Sequence, residues 1–163
     1  NMPAIVFWLM GSLASATYEK ILIALIPFLV GAYAIFAVRW KLNLLALSDE
    51  EAKSFGINPD FLRWYILICV ALIVSSGVAV VGEVGWVGLV IPHIAKIIFG
   101  SDCRYLIPSS AFLGAIFLVI VDTFSRSLTS VEIPIGILTA FIGSPIFFIL
   151  LRKYNRKGLN DKD

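Results

Sequence analysis

The amino-acid sequence predicts an all-α fold: a polytopic transmembrane bundle of about five spanning helices, with a short external helix and a short cytoplasmic helix. The first observation is composition, because 60% of the 163 residues are hydrophobic and 15% are charged, with a mean hydropathy of +0.95. A soluble domain is typically about 45–50% apolar and about 25% charged. The second observation is a series of long apolar segments, and the third is an uneven distribution of basic residues between them.

The opening segment, Met2–Tyr18, is uncharged but contains a proline, a glycine and several small polar residues, so we predict a short external or re-entrant helix there. Four uninterrupted apolar segments of 17–19 residues follow, close to the ~20 that a helix needs to cross the hydrocarbon core. These predicted spans are Ile21–Val38, Trp64–Gly82, Tyr105–Val121 and Ile133–Leu151. A fifth apolar segment, Val84–Gly100, is interrupted only by His93 and Lys96 and is the remaining predicted span.

The basic residues predict the orientation. If the five spans alternate in direction, residues 39–63, residues 101–104 and the C-terminal residues lie on one side, and this side holds 11 of the 13 Lys and Arg residues when Lys96 is counted at its edge. Only Lys20 and Arg126 lie opposite. Because basic connecting segments stay in the cytoplasm, we predict that this side is cytoplasmic. The predicted organisation is a transmembrane domain over residues 1–153 with a cytoplasmic loop at 39–63, followed by a polar cytoplasmic tail at 154–163.

The cytoplasmic loop contains a helix-capping signal. Ser48 and Glu51 have the spacing of a capping box, which predicts a helix over Asp49–Phe55; Gly56 is suited to the left-handed conformation that ends a helix, and Asn58–Pro59 begins the next one. A rigid surface helix suits mechanical coupling to a cytoplasmic partner, although a well-capped turn without a partner would show the same pattern. The candidate coupling residues are Ser48, Asp49, Glu50, Glu51, Ala52 and Gly56.

Small residues indicate helix packing in two places. Glycines recur at every third position from Gly82 to Gly88, and the last predicted span carries a stripe of small residues that includes Gly136 and Gly143. Small residues let helix backbones approach closely in a bilayer, while Pro92 removes a backbone donor and favours a kink. His93 invites a metal-ligand or proton-relay interpretation, but the sequence holds no second His, so a packing or hydrogen-bonding histidine is the alternative. The candidate packing and kink residues are Gly82, Gly85, Gly88, Pro92, His93, Gly136 and Gly143.

A basic residue lies at the outer end of the fourth span. Asp122 and Arg126 are four residues apart, the spacing at which side chains pair along a helix, and Glu132 follows in the same external segment. Arg126 and Glu132 are therefore candidates for docking an external partner. Simple anchoring at the membrane interface explains Arg126 equally well.

The sequence contains no phosphate-binding glycine loop, nucleophile elbow, zinc pair or dinucleotide fingerprint. No catalytic activity is expected, so any ATP hydrolysis would belong to a separate subunit. Cys69 and Cys103 have neither ligand nor disulfide spacing, and we expect no metal site and no cofactor in this chain. The net charge of +2 is too small to indicate nucleic acid as a partner.

Taken in order, these motifs resemble the FecCD family, the permeases of ATP-binding-cassette importers for iron–siderophore complexes, haem and cobalamin. The resemblance covers nearly the whole chain. It is carried by Phe7–Gly11, by Leu44–Leu47 with Glu51, Ala52 and Gly56, by Gly85–His93, and by Asp122–Arg126 continuing to Pro134–Gly136.

The resemblance implies a subunit of about ten helices, of which this chain would be the C-terminal half, as a fragment or as part of a split subunit. It implies a second permease subunit around a central path, a cytoplasmic ATP-binding subunit that receives Asp49–Gly56, and an extracytoplasmic substrate-binding protein whose glutamate meets Arg126. The membrane, with its lipid, would be the cytoplasmic (inner) membrane of a bacterium or archaeon. Lys53 departs from the family pattern, which has alanine there, and this bears on the choice of partner.

Two other classes of function stay open. A secondary transporter or channel would need ion-coordinating polar groups at the membrane midplane, and the predicted spans offer few. A non-transporting membrane scaffold would use the small-residue faces to bind a partner helix.

Overall fold

A computed structural model describes residues 6, 9–11, 13, 16–128 and 133–160, with side chains described for all of these except residues 128 and 153–160. Every regular element within these ranges is helical, which confirms the predicted all-α class. The elements are α1 (Tyr18–Val38), a 3-10 helix (Lys41–Ala46), α2 (Asp49–Ser54), α3 (Pro59–Val81), α4 (Val87–Phe99), α5 (Cys103–Leu128) and α6 (Ile135–Asn160). The external helix predicted within Met2–Tyr18 falls largely outside the described residues and stays a prediction.

Four of these helices are long and apolar enough to cross a membrane, namely α1, α3, α5 as far as Ser127, and α6 as far as Arg152. They cover the four uninterrupted apolar segments except for Gly82 and residues 133–134, so the prediction of these spans is confirmed to within two residues. Between 6% and 17% of the most apolar stretch of each helix is buried against the rest of the protein. Such exposed apolar helices need lipid or other protein around them, as expected of a multi-pass membrane protein.

The fifth apolar segment is helical over a shorter stretch than predicted. α4 has 13 residues and is therefore about 20 Å long, less than the ~30 Å of the hydrocarbon core. The expectation of a helix throughout Val84–Gly100 is wrong for its first residues. α3 is capped by Gly82 at φ +82° and ψ −169°, a conformation essentially restricted to glycine, and residues 82–86 are not helical.

The last helix continues beyond the segment that is apolar enough to cross a membrane. α6 continues to Asn160, so the first residues of the predicted polar tail at 154–163 extend this helix. The helix passes through Gly158, and no proline lies between Arg152 and Asn160 to end it.

The helices form two packed groups that are joined at both ends. α1 packs against α3, whereas α4 packs against α5 and α6, which also contact each other. At the end formed by residues 39–63 and 101–104, here called the basic end, the Asn43 side chain donates to Asp102 over 2.7 Å. At the other end, here called the outer end, Ile135 N donates to Gly11 O over 2.9 Å. Segments predicted to share one side of the membrane therefore meet.

Candidate functional site

The start of α2 is fixed by the capping box predicted from the sequence, which is confirmed. Ser48 Oγ accepts a hydrogen bond from Glu51 N at 3.4 Å, and Glu51 Oε2 accepts one from Ser48 N at 3.2 Å. Asp49, Glu50 and Glu51 fill the first turn, where negative charge interacts favourably with the helix dipole. The local sequence therefore specifies where this short helix begins.

The end of α2 is fixed by Gly56. The helix ends at Ser54, one residue earlier than predicted, and Gly56 follows at φ +76°. Ile57 N donates to Ala52 O at 3.3 Å and Gly56 N donates to Lys53 O at 2.9 Å, the pattern of a Schellman motif. No described atom lies within 4 Å of the position that a Cβ on Gly56 would take. The backbone conformation, and not a lack of space, requires glycine here.

Arg63 attaches α2 to the membrane helix that follows it. Its guanidinium binds Asp49 through two hydrogen bonds, Nη2 to Oδ1 at 2.7 Å and Nη1 to Oδ2 at 3.3 Å, and Nη1 also reaches Asp60 Oδ1 at 3.3 Å. The hydrogen bond from Arg63 lowers the pKa of Asp49 below its ordinary value, so this carboxylate is charged at neutral pH. The first residue of α2 is thus fastened to the first two turns of α3.

Sequence reasoning missed this role of Arg63. The spacing of Asp60 and Arg63 signals a pair within one helix, but Asp49 lies 14 residues from Arg63. No local pattern connects them across the intervening turn.

The burial of α2 defines its outward surface. Ala52 is 1% exposed and faces the protein, whereas the other five residues of the helix are exposed. Phe55, at the C-cap, is 65% exposed. α2 therefore rests on the protein through one alanine and presents charged residues and an aromatic ring outward, a surface suited to contact with another protein.

At the outer end, the predicted pair in α5 is confirmed. Arg126 Nε lies 3.0 Å from Asp122 Oδ2, and the Arg126 side chain is about half exposed. Ser125, which is 3% exposed, donates from Oγ to Ile133 O at 2.5 Å and so ties the end of α5 to the segment ahead of α6. Glu132 lies outside the described residues, and its docking role stays a prediction.

The predicted packing glycines divide into three groups. A Cβ on Gly143 would lie 2.8 Å from Trp86 Cβ, and one on Gly136 would lie 3.2 Å from the Met10 carbonyl carbon, so both positions allow close approach. No described atom lies within 4 Å of a Cβ at Gly85 or Gly88, and close packing at these two positions stays a prediction. Gly82 is buried and acts through its positive φ.

Gly31 is a close-packing residue that the sequence analysis did not select. A Cβ there would lie 2.9 Å from Cys69 O and 2.8 Å from Ile73 Cγ1, so α1 and α3 approach each other through this glycine. A lone glycine in an apolar segment gives no signal that could have identified it.

Pro92 and His93 lie within α4. The helix runs continuously past Pro92, and the kink stays a prediction. His93 is half-buried. Within the described ranges, no group of three or more His, Cys, Asp or Glu residues is placed to hold a metal ion.

An open cleft of about 580 Å³ lies at the outer end, between the start of α6 and the non-helical residues ahead of α4. Its wall is apolar except for Glu83 and backbone groups. The residues that line it include Met10, Glu83, Trp86, Ile137, Ala140 and Phe141.

Comparison with known proteins gives consistent matches. Residues 1–153 match the model of FecCD, described as the FecCD transport family. The chain is 42% identical over 161 residues to the molybdate import system permease protein MolB of Haemophilus influenzae, covering 99% of this chain and 48% of that protein. It is 44% identical over 148 residues to a probable iron chelatin transport system permease protein of Helicobacter pylori, covering 91% of this chain and 45% of that protein.

A solved structure has the same arrangement of helices. It is described as an inward-facing conformation of a metal-chelate type ABC transporter, and it matches with a TM-score of 0.89 and 43% identity, covering 93% of this chain and 49% of that one. The cobalamin import system permease protein BtuC of Halobacterium salinarum is 36% identical over 146 residues, covering 90% of this chain and 39% of that protein. The chain spans about half the length of most of the curated relatives it matches.

Proposed function

Because the chain belongs to the FecCD transport family, we propose that it is part of the membrane-spanning permease of an ATP-binding-cassette importer. In this proposal the permease has no catalytic activity, and ATP is hydrolysed by a separate cytoplasmic subunit. A second permease subunit completes a central path through the membrane. The basic end faces the cytoplasm, as the distribution of Lys and Arg favours.

The observation that carries the proposal is the construction of α2. This six-residue helix is capped at both ends, rests on the protein through Ala52, and is fastened to α3 through Asp49 and Arg63. A force applied to its outward surface would therefore pass to a membrane helix without being absorbed by a flexible loop. We propose that the ATP-binding subunit docks on this surface and that closure on ATP tilts the membrane helices.

The outer end supports the second contact of an importer. Arg126 is half-exposed at the end of α5 and is a basic residue on a side that holds few, so it suits an acidic group on an extracytoplasmic substrate-binding protein. The binding protein would deliver cargo above the path, next to the cleft lined by Glu83 and Trp86.

The cargo that we propose is a metal chelate of the iron–siderophore, haem or cobalamin type. Relatives named for iron chelatin and cobalamin support this class. The relative named for molybdate aligns over 99% of the chain, which supports an oxyanion as the second candidate. Uptake of radiolabelled ferric siderophore against molybdate by cells that express the complete transporter distinguishes the two.

The coupling assignment is tested with a matched pair of glycine variants. Gly56→Ala forces an L-residue into the left-handed region at a cost of about 1–2 kcal/mol, whereas Gly77→Ala places the same methyl group in an ordinary helical conformation. Neither methyl group would have a described atom within 4 Å. In proteoliposomes that contain the complete transporter, Gly56→Ala should lower transport per ATP hydrolysed, and Gly77→Ala should not.

Equal transport per ATP hydrolysed in the Gly56→Ala and Gly77→Ala transporters would contradict the coupling role of α2. Transport that persists without ATP would instead support a secondary transporter or channel, and a complete absence of cargo flux in the wild-type assembly would support a scaffold.

The docking assignment is tested by the salt dependence of binding. Arg126→Glu should weaken binding of the substrate-binding protein strongly at low salt and less at high salt, because exposed charges are screened over about 8–10 Å near physiological ionic strength. Arg104→Glu makes the same change of charge at the basic end and serves as the control. Weakening by Arg126→Glu that does not depend on salt would indicate that Arg126 anchors the helix and does not meet a charged partner.

A further inference from the structure

A cluster of hydrogen bonds at the basic end joins the segment ahead of α2 to the start of α5. Asn43 Nδ2 donates to Asp102 Oδ1 at 2.7 Å, and Asn43 Oδ1 accepts from Cys103 N at 2.8 Å. Asp102 Oδ1 also accepts from Arg104 N at 2.9 Å. The Asn43 and Asp102 side chains are both half-buried. We call this arrangement the Asn43–Asp102 clasp.

The chemistry of the clasp makes it a firm attachment. Both ends of the Asn43 amide are used, which fixes its orientation. Two hydrogen bonds lower the pKa of Asp102 below its ordinary value: the bond from the Arg104 backbone has the larger effect, and the bond from the Asn43 side chain has the smaller one. Asp102 is therefore ionised at neutral pH, and hydrogen bonds to an ionised acceptor are stronger than those between neutral groups.

The clasp connects two sites that the proposed function assigns to different partners. α5 has 26 residues and is about 39 Å long; it runs without interruption from Cys103 at the clasp to the turn that carries Arg126. On the other side of the clasp, Asn43 belongs to the 3-10 helix, which ends at Ala46. Only Leu47 and Ser48 separate that helix from α2.

α3 also connects α2 to the outer end, but it ends at Gly82 and does not carry Arg126. A displacement of α5 by a docked binding protein would reach the segment ahead of α2 through Asn43. Rigid elements joined by specific contacts can carry coupling between distant sites when they have two discrete arrangements.

We propose that Asn43 and Asp102 are positioning residues through which α5 transmits docking of the binding protein at Arg126 to α2, and so to the ATP-binding subunit. The proposal rests on the proposed function, because it needs both partners. It goes beyond that function by assigning the route of the signal to one helix and one pair of side chains.

A swap of the two side chains provides a sharp test. Asn43→Asp places two carboxylates against each other and should open the clasp. Asp102→Asn keeps an acceptor oxygen at that position and should be tolerated. The double variant Asn43→Asp/Asp102→Asn removes the repulsion and lets the amide at position 102 donate to position 43, which still offers an oxygen to Cys103 N. It gives up the bond from Arg104 N, because that bond and the one from Asn43 meet at the same oxygen, Asp102 Oδ1. The double variant should therefore close the clasp again in part.

The measurement is the ratio of ATPase activity with the binding protein to that without it, for the complete transporter in lipid nanodiscs. Asn43→Asp should reduce this ratio by about fivefold or more, the lower range of typical allosteric couplings, and the double variant should recover part of the loss. Affinity for the binding protein without nucleotide should stay unchanged, since Arg126 lies at the far end of α5. Asn43→Ala, which removes the side-chain bonds without adding repulsion, should also lower the ratio and replaces Asn43→Asp if that variant does not assemble.

Two results would overturn the proposal. A wild-type ratio in both Asn43 variants, or a double variant no better than Asn43→Asp, would show that the clasp does not carry the signal while leaving the proposed function intact. A wild-type transporter with no stimulation by any binding protein would overturn the proposed function and the clasp proposal together.

Discussion

Removal of the Ser48 side chain should loosen α2 by a predictable amount. Ser48→Ala removes the hydrogen bond that Glu51 N donates to Oγ and leaves the reciprocal bond from Ser48 N to Glu51 Oε2 in place. Loss of an N-cap costs about 0.5–2 kcal/mol. Because the lost bond is long, at 3.4 Å, we expect the lower half of that range, about 0.5–1 kcal/mol, which changes a population about two- to fivefold.

This loss is large for α2 because a helix of six residues is not stable by itself. The fraction of permeases with an ordered α2 should fall, and transport per ATP hydrolysed should fall with it. The assay is cargo uptake and ATP hydrolysis measured in the same proteoliposomes. Ser48→Asn, which retains a capping oxygen, should restore the wild-type value.

Ser54→Ala is the matched control for this experiment. The Ser54 hydroxyl donates to Glu51 O at 2.6 Å in the same helix and takes no part in the capping box, so its removal should change coupling less than Ser48→Ala does. Wild-type coupling in Ser48→Ala would refute the reasoning that the cap orders α2. A Ser48→Asn variant as impaired as Ser48→Ala would indicate that the hydroxyl itself meets the partner.

Three further predictions concern packing and charge. Gly31→Ala should lower the thermal unfolding temperature of the detergent-solubilised transporter, because overpacking costs about 1–3 kcal/mol, while Gly77→Ala in the facing helix should not; equal values would contradict close contact at Gly31. Gly143→Leu should also lower the unfolding temperature, because the added side chain would displace Trp86. A tryptophan fluorescence spectrum identical to that of the wild type would contradict this displacement. Since the pKa of Asp49 is lowered in the folded state, its pairing with Arg63 should stabilise α2 at all pH values above the ordinary value of 3.8 and weaken as the pH falls through the lowered pKa. A spin-label distance between α2 and α3 should report this loss, and Arg63→Gln should abolish the pH dependence.

The sequence by itself determined the features that depend on neighbouring residues. Apolar segments of sufficient length predict spanning helices because the bilayer leaves backbone groups no partners except those within the helix. The capping box of α2 and the pair of Asp122 and Arg126 join residues three and four apart, and helix geometry alone brings such residues together. The family could be inferred as well, because its motifs are runs of adjacent residues.

Only the tertiary structure decided the contacts between elements. The bond between Asn43 and Asp102 joins residues 59 positions apart, and the bond between Asp49 and Arg63 depends on how α2 turns back onto α3. Glycines look alike in a sequence, yet Gly31 and Gly143 permit close approach while Gly85 and Gly88 have no described neighbour within 4 Å of an added Cβ. Which glycine lies at a crossing depends on how two helices pack, and that packing is set by surfaces far apart in the chain and by no local pattern.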